Sequence, residues 1–358
     1  MPIEKSEMAE LQTPSADGQS RRPRAVRKKK AAEPGGHLER NCSVARTMNI
    51  FCDSWAFLIM REAFFGVRNF DGFRSALEIP RQTLTSRLRL LVQEGVLKKV
   101  LMEGSSKRYE YRLTKKGYDI YPSCMALKRY GDTWLNDDEA KVPLELRHTT
   151  CGCVCEPVVA CSSCLEPISA ATVTYRDGPG AGHEAGRPGR NARRAYSNSR
   201  FLVGRPSSVS KTLEIIGDKW SFMVVREAFF GARRYEQMQS RLTIAPNILT
   251  DRLAHFVRHD VFVRRQYSSS PPRYEYVLTS KGRDLYAPFI AMFAWGDRWL
   301  SQGKPPLILT HKTCGNDFNP VVICPECKQE IDAGSMRYRL NYDPERYHAP
   351  TNDHLDDG

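Results

Sequence analysis

Trp55 and Trp220 head two copies of one segment: at a fixed offset of 165 residues, Arg61-Glu62-Ala63-Phe64-Phe65-Gly66 aligns with Arg226-Glu227-Ala228-Phe229-Phe230-Gly231. The match runs without a gap to Gly131-Asp132-Thr133-Trp134-Leu135 against Gly296-Asp297-Arg298-Trp299-Leu300. About 40% of the aligned positions are identical, which only duplication explains. A period this long is a whole domain rather than the turn of a solenoid. The fold of one copy must therefore occur twice, and 358 residues leave room for two domains with connecting segments.

Within the first copy, Ser43 to Cys52 and Trp55 to Phe65 carry apolar residues at helical spacing, and Gly66 supplies a stop. Phe70 to Leu77 predicts a third helix, Glu78-Ile79-Pro80 a turn, and Thr83 to Glu94 a fourth helix with Leu84, Leu88, Leu91 and Val92 on one face. Val96 to Leu101 and Arg108 to Leu113 read as two strands around a tip at Glu103-Gly104-Ser105-Ser106, which makes a wing. A last helix is expected from a Thr114 cap to Trp134-Leu135. The second copy repeats every element, with a turn at Thr243 to Pro246, a fourth helix near Asn247 to His259 and a wing tip at Ser268 to Pro272. The expected fold class is mainly α with small β (α+β), two winged helix-turn-helix domains.

Charge narrows the partners. Lys and Arg number 54 against 41 Asp and Glu, a formal +13 that favours polyanions such as nucleic acid. Apolar runs such as Ala56 to Met60 and Ala287 to Trp295 fall short of the roughly 20 residues that span a bilayer, and the polar amino terminus lacks a secretory signal, so no membrane and a cytoplasmic, nucleoid-associated setting are expected. Eleven cysteines in a reducing compartment point to metal ligands or core thiols before disulfides.

The outer face of the fourth helix offers Arg81, Gln82, Thr85, Ser86 and Arg89 in the first copy and Asn247, Thr250 and Arg258, beside Asp251, in the second. Arg and Gln can make paired bonds to base edges, whereas Thr and Ser reach phosphates or bases. With Lys107, Arg108 and Arg273 at the wing tips, this pattern predicts binding to double-stranded DNA. Arg87 and Arg252 match between copies and flank the apolar stripe, where a salt bridge competes with a DNA contact.

Taken together, Cys42-Ser43-Val44, Asp218-Lys219-Trp220, the two Arg-Glu-Ala-Phe-Phe-Gly segments with Arg68 and Arg233 after them, Leu84-Thr85-x-Arg87-Leu88, and Tyr109-Glu110-Tyr111-x-Leu113-Thr114-x-x-Gly117 resemble the HxlR-type winged helix-turn-helix domain of bacterial transcriptional regulators. The resemblance implies a sequence-specific regulator rather than an enzyme. Such regulators usually carry one domain and dimerise through their first and last helices, so a tandem copy implies a single-chain, intramolecular pseudo-dimer, with homodimerisation left open. Some relatives sense oxidants with a cysteine where Cys42 stands, which makes Cys42 a candidate redox residue; Ser207 takes that place in the second copy. Departures are Ser54 for the usual Lys before Trp55, Cys52 for a Gly, and the acidic Asp251.

A second repeated unit follows each domain: His148-x2-Cys151 with Cys161-x2-Cys164, then His311-x2-Cys314 with Cys324-x2-Cys327. One imidazole and three thiolates suit a tetrahedral zinc ion, and four protein ligands leave no open position for catalysis. Cys153 could replace Cys151 in the first set. Each unit is expected to be a small cysteine-rich, zinc-ribbon-like module, which also sustains an alternative function, a zinc-stabilised scaffold that binds protein or RNA. The expected organisation is a disordered basic arm (1–40), domain 1 (41–136), zinc module 1 (145–176), a flexible linker (177–206), domain 2 (207–301), zinc module 2 (308–340) and a polar tail (341–358).

Overall fold

In the computed structural model, residues 38–51, 53–105, 107–136, 142–185 and 205–347 are described. The basic run of the amino-terminal arm, Cys52, and most of the expected linker and tail lie outside them. A short strand β1 (Leu38–Arg40) leads into α1 (Ser43–Ile50), α2 (Ser54–Phe64), α3 (Phe70–Leu77) and α4 (Arg81–Gln93). The wing is β2 (Leu97–Leu101) paired antiparallel with β3 (Tyr109–Leu113), and α5 (Lys115–Tyr118) and α6 (Tyr121–Trp134) complete the first winged helix. Then come β4 (Leu144–His148), β5 (Val158–Cys161), β6 (Val173–Asp177) and β7 (His183–Ala185).

The second copy runs α7 (Ser208–Ile216), α8 (Lys219–Phe229), α9 (Tyr235–Leu242), α10 (Pro246–Arg258), β8 (Phe262–Ser269), β9 (Pro272–Leu278), α11 (Ser280–Asp284) and α12 (Tyr286–Leu300). Four strands follow: β10 (Leu307–His311), β11 (Asp317–Phe318), β12 (Pro320–Ile323) and β13 (Met336–Leu340).

Local chemistry accounts for most boundaries. Asp53 and Asp218 cap α2 and α8, and Asn69 accepts from Gly72 N (2.7 Å) to cap α3. Thr114 and Thr279 cap α5 and α11 by accepting from Gly117 N and Gly282 N. The single last helix expected in each copy is in fact two, broken at Asp119-Ile120 and at Leu285. In the first copy Pro122 sits in the first turn of α6, where its missing N–H costs nothing but where continuing the preceding helix would lose a bond.

The two copies interlock. Helix α1 lies against α12 and α6 against α7, so the first helix of each copy packs on the last helix of the other. At these crossings the repeated Gly-Asp pair does the work. A Cβ on Gly131 would stand 2.2 Å from Ser208 O, and one on Gly296 2.5 Å from Ser43 O, so the backbones touch where only hydrogen fits. The adjoining Asp132 and Asp297 accept from the hydroxyls of Ser208 and Ser43. Thr212 and Thr47 donate to Leu127 O (2.9 Å) and Met292 O (3.1 Å). Trp134 Nε1 donates to Asp284 (2.9 Å), and Trp299 Nε1 to Asp119 (2.7 Å). Asp53 and its counterpart Asp218 form an antiparallel bridge with each other, as equivalent residues do only beside a two-fold axis.

The strands behind the winged helices are exchanged in the same manner. β5 pairs with its own counterpart β12, with Val159 opposite the equivalent Val322. β4 of the first copy pairs with β13 of the second, and β10 of the second with β6 of the first. Two independent cysteine-rich modules are therefore not what forms; one interleaved strand assembly does. The expected arm and linker are also partly ordered. β1 pairs with β7, Arg46 bonds Glu184, and Gly178 and Gly180 donate to Pro306 O and Pro305 O. At the carboxyl end Asn341 bonds Val142 O and Pro143 O, ahead of a 3-10 turn at Glu345–Tyr347.

Two outcomes follow. Gly131→Ala or Gly296→Ala should destabilise the chain by about 1–3 kcal/mol in urea unfolding, although the same change in an open helix would stabilise it. Burial pushes the Asp297 carboxyl up to about 6 against an ordinary 3.8. A raised carboxyl opposes folding above its folded-state value and is relieved as pH falls through it. Relative to Asp297→Asn, the native chain should gain thermal stability between pH 7 and pH 5, as melting curves of the two proteins would show.

Candidate nucleic-acid interface and metal centres

On α4, Leu84, Leu88 and Leu91 are buried, which leaves Arg81, Gln82, Thr85, Ser86 and Arg89 exposed on one face. Pro80 at the N-cap and the left-handed Glu78 set the turn between α3 and α4. Arg81 rests over the Phe70 ring (5.5 Å), while Thr85 and Ser86 bond Arg81 O and Thr83 O within the helix. On α10, Leu249, Leu253 and Phe256 are buried and Asn247, Thr250, Asp251 and Arg258 exposed. Thr250 lies 3.4 Å from the Tyr235 hydroxyl. Lys107, Arg108 and Arg273 are exposed at the wing tips. Each wing is tied to its helices, because Tyr111 N donates to Arg68 O (2.6 Å) and Tyr276 N to Arg233 O (2.7 Å).

Arg87 and Arg252 turn inward. Arg87 Nε lies 2.8 Å from Asp53 Oδ2, and Arg252 Nε 3.1 Å from Asp218 Oδ2. These are the carboxylates of the bridge between the copies, so α4 and α10 are each pinned to the shared axis. One cationic cluster escapes sequence reasoning. The second wing is longer than the first, and Arg234 and Arg264 lie over the rings of Tyr267 (4.6 Å) and Tyr274 (3.6 Å), with Arg265 exposed nearby. Its signal was the Arg-Arg-x-Tyr run at Arg264 to Tyr267, hidden because the first copy has Lys99 and Val100 in place of the two arginines.

The eight metal-ligand candidates do come together, in the opposite grouping from the one spacing predicts. Among the described residues two sets could hold a metal ion: His148, Cys151, Cys324 and Cys327, and Cys161, Cys164, His311 and Cys314. Each takes its His-x2-Cys from one copy and its Cys-x2-Cys from the other. The reason is the strand exchange. His148 ends β4 opposite Met336 of β13, and Cys161 ends β5 opposite Pro320 of β12, which brings each turn against its foreign partner. Ser162 N to Asn319 O (3.3 Å) and Thr149 N to Ser335 O (2.9 Å) secure the junctions.

The donor spacings fit a tetrahedron. Cys151 Sγ to Cys324 Sγ is 3.8 Å and Cys161 Sγ to Cys314 Sγ 3.9 Å. Nδ1 of His148 is 3.4 Å from Cys151 Sγ and 3.2 Å from Cys327 Sγ, and Nδ1 of His311 is 3.3 Å from Cys164 Sγ and 3.7 Å from Cys314 Sγ. Bond lengths of about 2.3 Å to sulfur and 2.0 Å to nitrogen give edges of this size. Gly152 and Gly315, both at positive φ, close matching turns onto His148 O and His311 O (2.8 Å each). The Cys151 thiol is held down to about 6 by the backbone N–H of Cys153 and then by His148, and the N–H of Asn316 lowers Cys314 in the same way. Cys153 stands outside the set and bonds Cys151 O instead. Cys42 is buried beside Arg226 of the second copy.

Among the described residues no helix is long and apolar enough to cross a membrane. The sequence profile of the HxlR-like helix-turn-helix family matches residues 50–139 and 215–304. An uncharacterized HTH-type transcriptional regulator of Mycobacterium tuberculosis is 44% identical over 130 residues, 36% of this chain and 82% of that protein. An uncharacterized HTH-type transcriptional regulator of Synechocystis is 35% identical over 109 residues, 30% of this chain and 81% of that protein. The HTH-type transcriptional regulator YodB of Bacillus subtilis is 24% identical over 96 residues, 26% of this chain and 86% of that protein. With its family profile matched at both copies, half of its length, this chain belongs to the HxlR-like helix-turn-helix family and carries the family's domain twice.

Proposed function

We propose that the chain is a transcriptional regulator that binds double-stranded DNA as a single-chain pseudo-dimer, its winged helices held together by two structural zinc ions. The observation that carries this reading is the pair of exposed polar faces on α4 and α10, mounted on helices that interlock about one axis. A one-domain regulator needs two chains to present two recognition helices one DNA turn apart, about 34 Å; here both are on one chain. Arg81 and Gln82 are assigned to base edges, with Thr85, Ser86, Arg89, Asn247, Thr250 and Arg258 beside them. Lys107, Arg108 and Arg273 are assigned to phosphates from the wings. The helices differ at their starts, Arg81-Gln82 against Pro246-Asn247, so the site read should have two unlike halves.

Zinc in each Cys3His set would supply no reaction chemistry, since four protein donors complete its shell. Its role follows from where the ligands sit. Every set joins the two copies, so metal binding free energy is also the free energy of holding them together.

Selection from a random duplex library should return a non-palindromic site bound by one chain. A palindrome bound by two chains would refute the pseudo-dimer, and equal affinity for random duplex, or preference for single-stranded RNA, would favour the scaffold. Arg81→Ala should cost about 1–3 kcal/mol on the selected site and relax one base position, whereas Arg273→Ala should weaken all duplexes alike and lower the salt slope by about one. Stripping the metal with a strong chelator should lower the melting temperature and the DNA affinity together, and added zinc should restore both.

A further inference from the structure

A cavity of about 440 Å³ opens where the first winged helix meets the second copy, within the range of small-molecule sites, roughly 300–1,000 Å³. Its walls come from α2 and α6, from the β4–β13 pair, and from the Arg205 to Val209 segment that enters α7. Aromatic pairs form much of the lining: Phe64 against Tyr121 at 5.1 Å and Phe65 against Tyr338 at 5.1 Å. Five cationic side chains, Arg61, Arg68, Lys128, Arg205 and Arg337, line the cavity and no Asp or Glu among the described residues does, although Arg61 and Arg205 both pair with Glu62 and Lys128 pairs with Asp132.

Arg205 is the informative one. It is 4% exposed, lies 4.4 Å over the Phe65 ring and donates through Nη2 to Glu62 (2.6 Å). Its Nη1 is buried and makes no hydrogen bond of good geometry, and the neutral Tyr342 hydroxyl at the cavity wall is set against the same guanidinium. A buried guanidinium N–H left unmatched is costly, and an anionic acceptor is the strongest group that can satisfy it.

The second copy carries different side chains at two of the equivalent lining positions. Its aromatic pair Phe229 and Tyr286 keeps the same contact at 5.3 Å. Phe289 and Phe293, however, stand where the first copy has Cys124 and Lys128. Phe289 fills the space against Phe222 (4.9 Å) and Phe229 (5.7 Å). The framework is shared by both copies, while the smaller Cys124 and the cationic Lys128 distinguish the first.

We propose that this cavity binds a small organic anion with an aromatic or otherwise apolar body, its anionic group held by Arg205. Because the walls belong to both copies, an occupant biases how the copies sit against each other, and on the DNA-binding reading above it acts as an effector. The binding site itself does not depend on that reading.

The test uses the full chain and two dyes of nearly equal shape, anionic 8-anilinonaphthalene-1-sulfonate and neutral N-phenyl-1-naphthylamine. The expected result is saturable fluorescence at one site per chain, with the sulfonate bound about tenfold more tightly. Cys124→Phe, which installs the second copy's residue, should weaken both dyes at least tenfold. Arg205→Met should abolish the preference for the sulfonate while leaving neutral-dye binding in place, and it keeps the test decisive if Cys124→Phe does not fold by circular dichroism. Equal affinity for the two dyes, sulfonate binding unaffected by both substitutions, or binding that appears only after removal of residues 348–358 with their own carboxylates would overturn the proposal.

Discussion

The close approach of helix backbones at Gly131 and Gly296 sets the arrangement on which the rest depends. With no side chain at these positions, α6 and α12 lie directly on the starts of α7 and α1, close enough for Asp132 and Asp297 to accept from Ser208 and Ser43. Each crossing joins one copy to the other, so neither winged helix completes its core alone. The Asp53–Asp218 bridge and the Arg87 and Arg252 ion pairs then carry the same axis to α4 and α10. Their orientation is thereby coupled to the helix crossings.

Exchange of strands extends this dependence to the metal-ligand sets. Each half-set lies on a turn whose flanking strand pairs with the other copy, and the donor atoms converge only when those pairings form. Duplication in one chain keeps the partner strand at high local concentration, which makes such an exchange more accessible than it is between separate molecules. It also frees the two copies to diverge, as they have at Arg81 against Pro246 and at Cys124 against Phe289.

Much of one domain could be read from the sequence because its determinants are local. Apolar spacing located the helices, Thr114 marked a helix cap, and the buried stripe on α4 left the predicted polar face outward. The eight His and Cys side chains that converge were legible for the same reason. Their grouping was not, because His148-x2-Cys151 can complete a tetrahedron with either copy's Cys-x2-Cys and spacing alone is indifferent between them. Strand register decides, and register is a long-range property. The break at Asp119-Ile120 was carried by Pro122, but apolar periodicity continues across it and masked the signal. Ordering of β1 and β7 escaped notice because both are three-residue strands whose pairing spans most of the first copy.

The crosswise grouping is the central claim, and metal content of paired cysteine variants tests it most directly. Cys151→Ala combined with Cys324→Ala removes two donors from one set, so the purified protein should retain one zinc ion per chain. Cys151→Ala combined with Cys161→Ala damages both sets, so it should retain none. The reverse outcome, one ion kept by the second pair and both lost by the first, would show that each copy closes its own site and would contradict the interlocked arrangement.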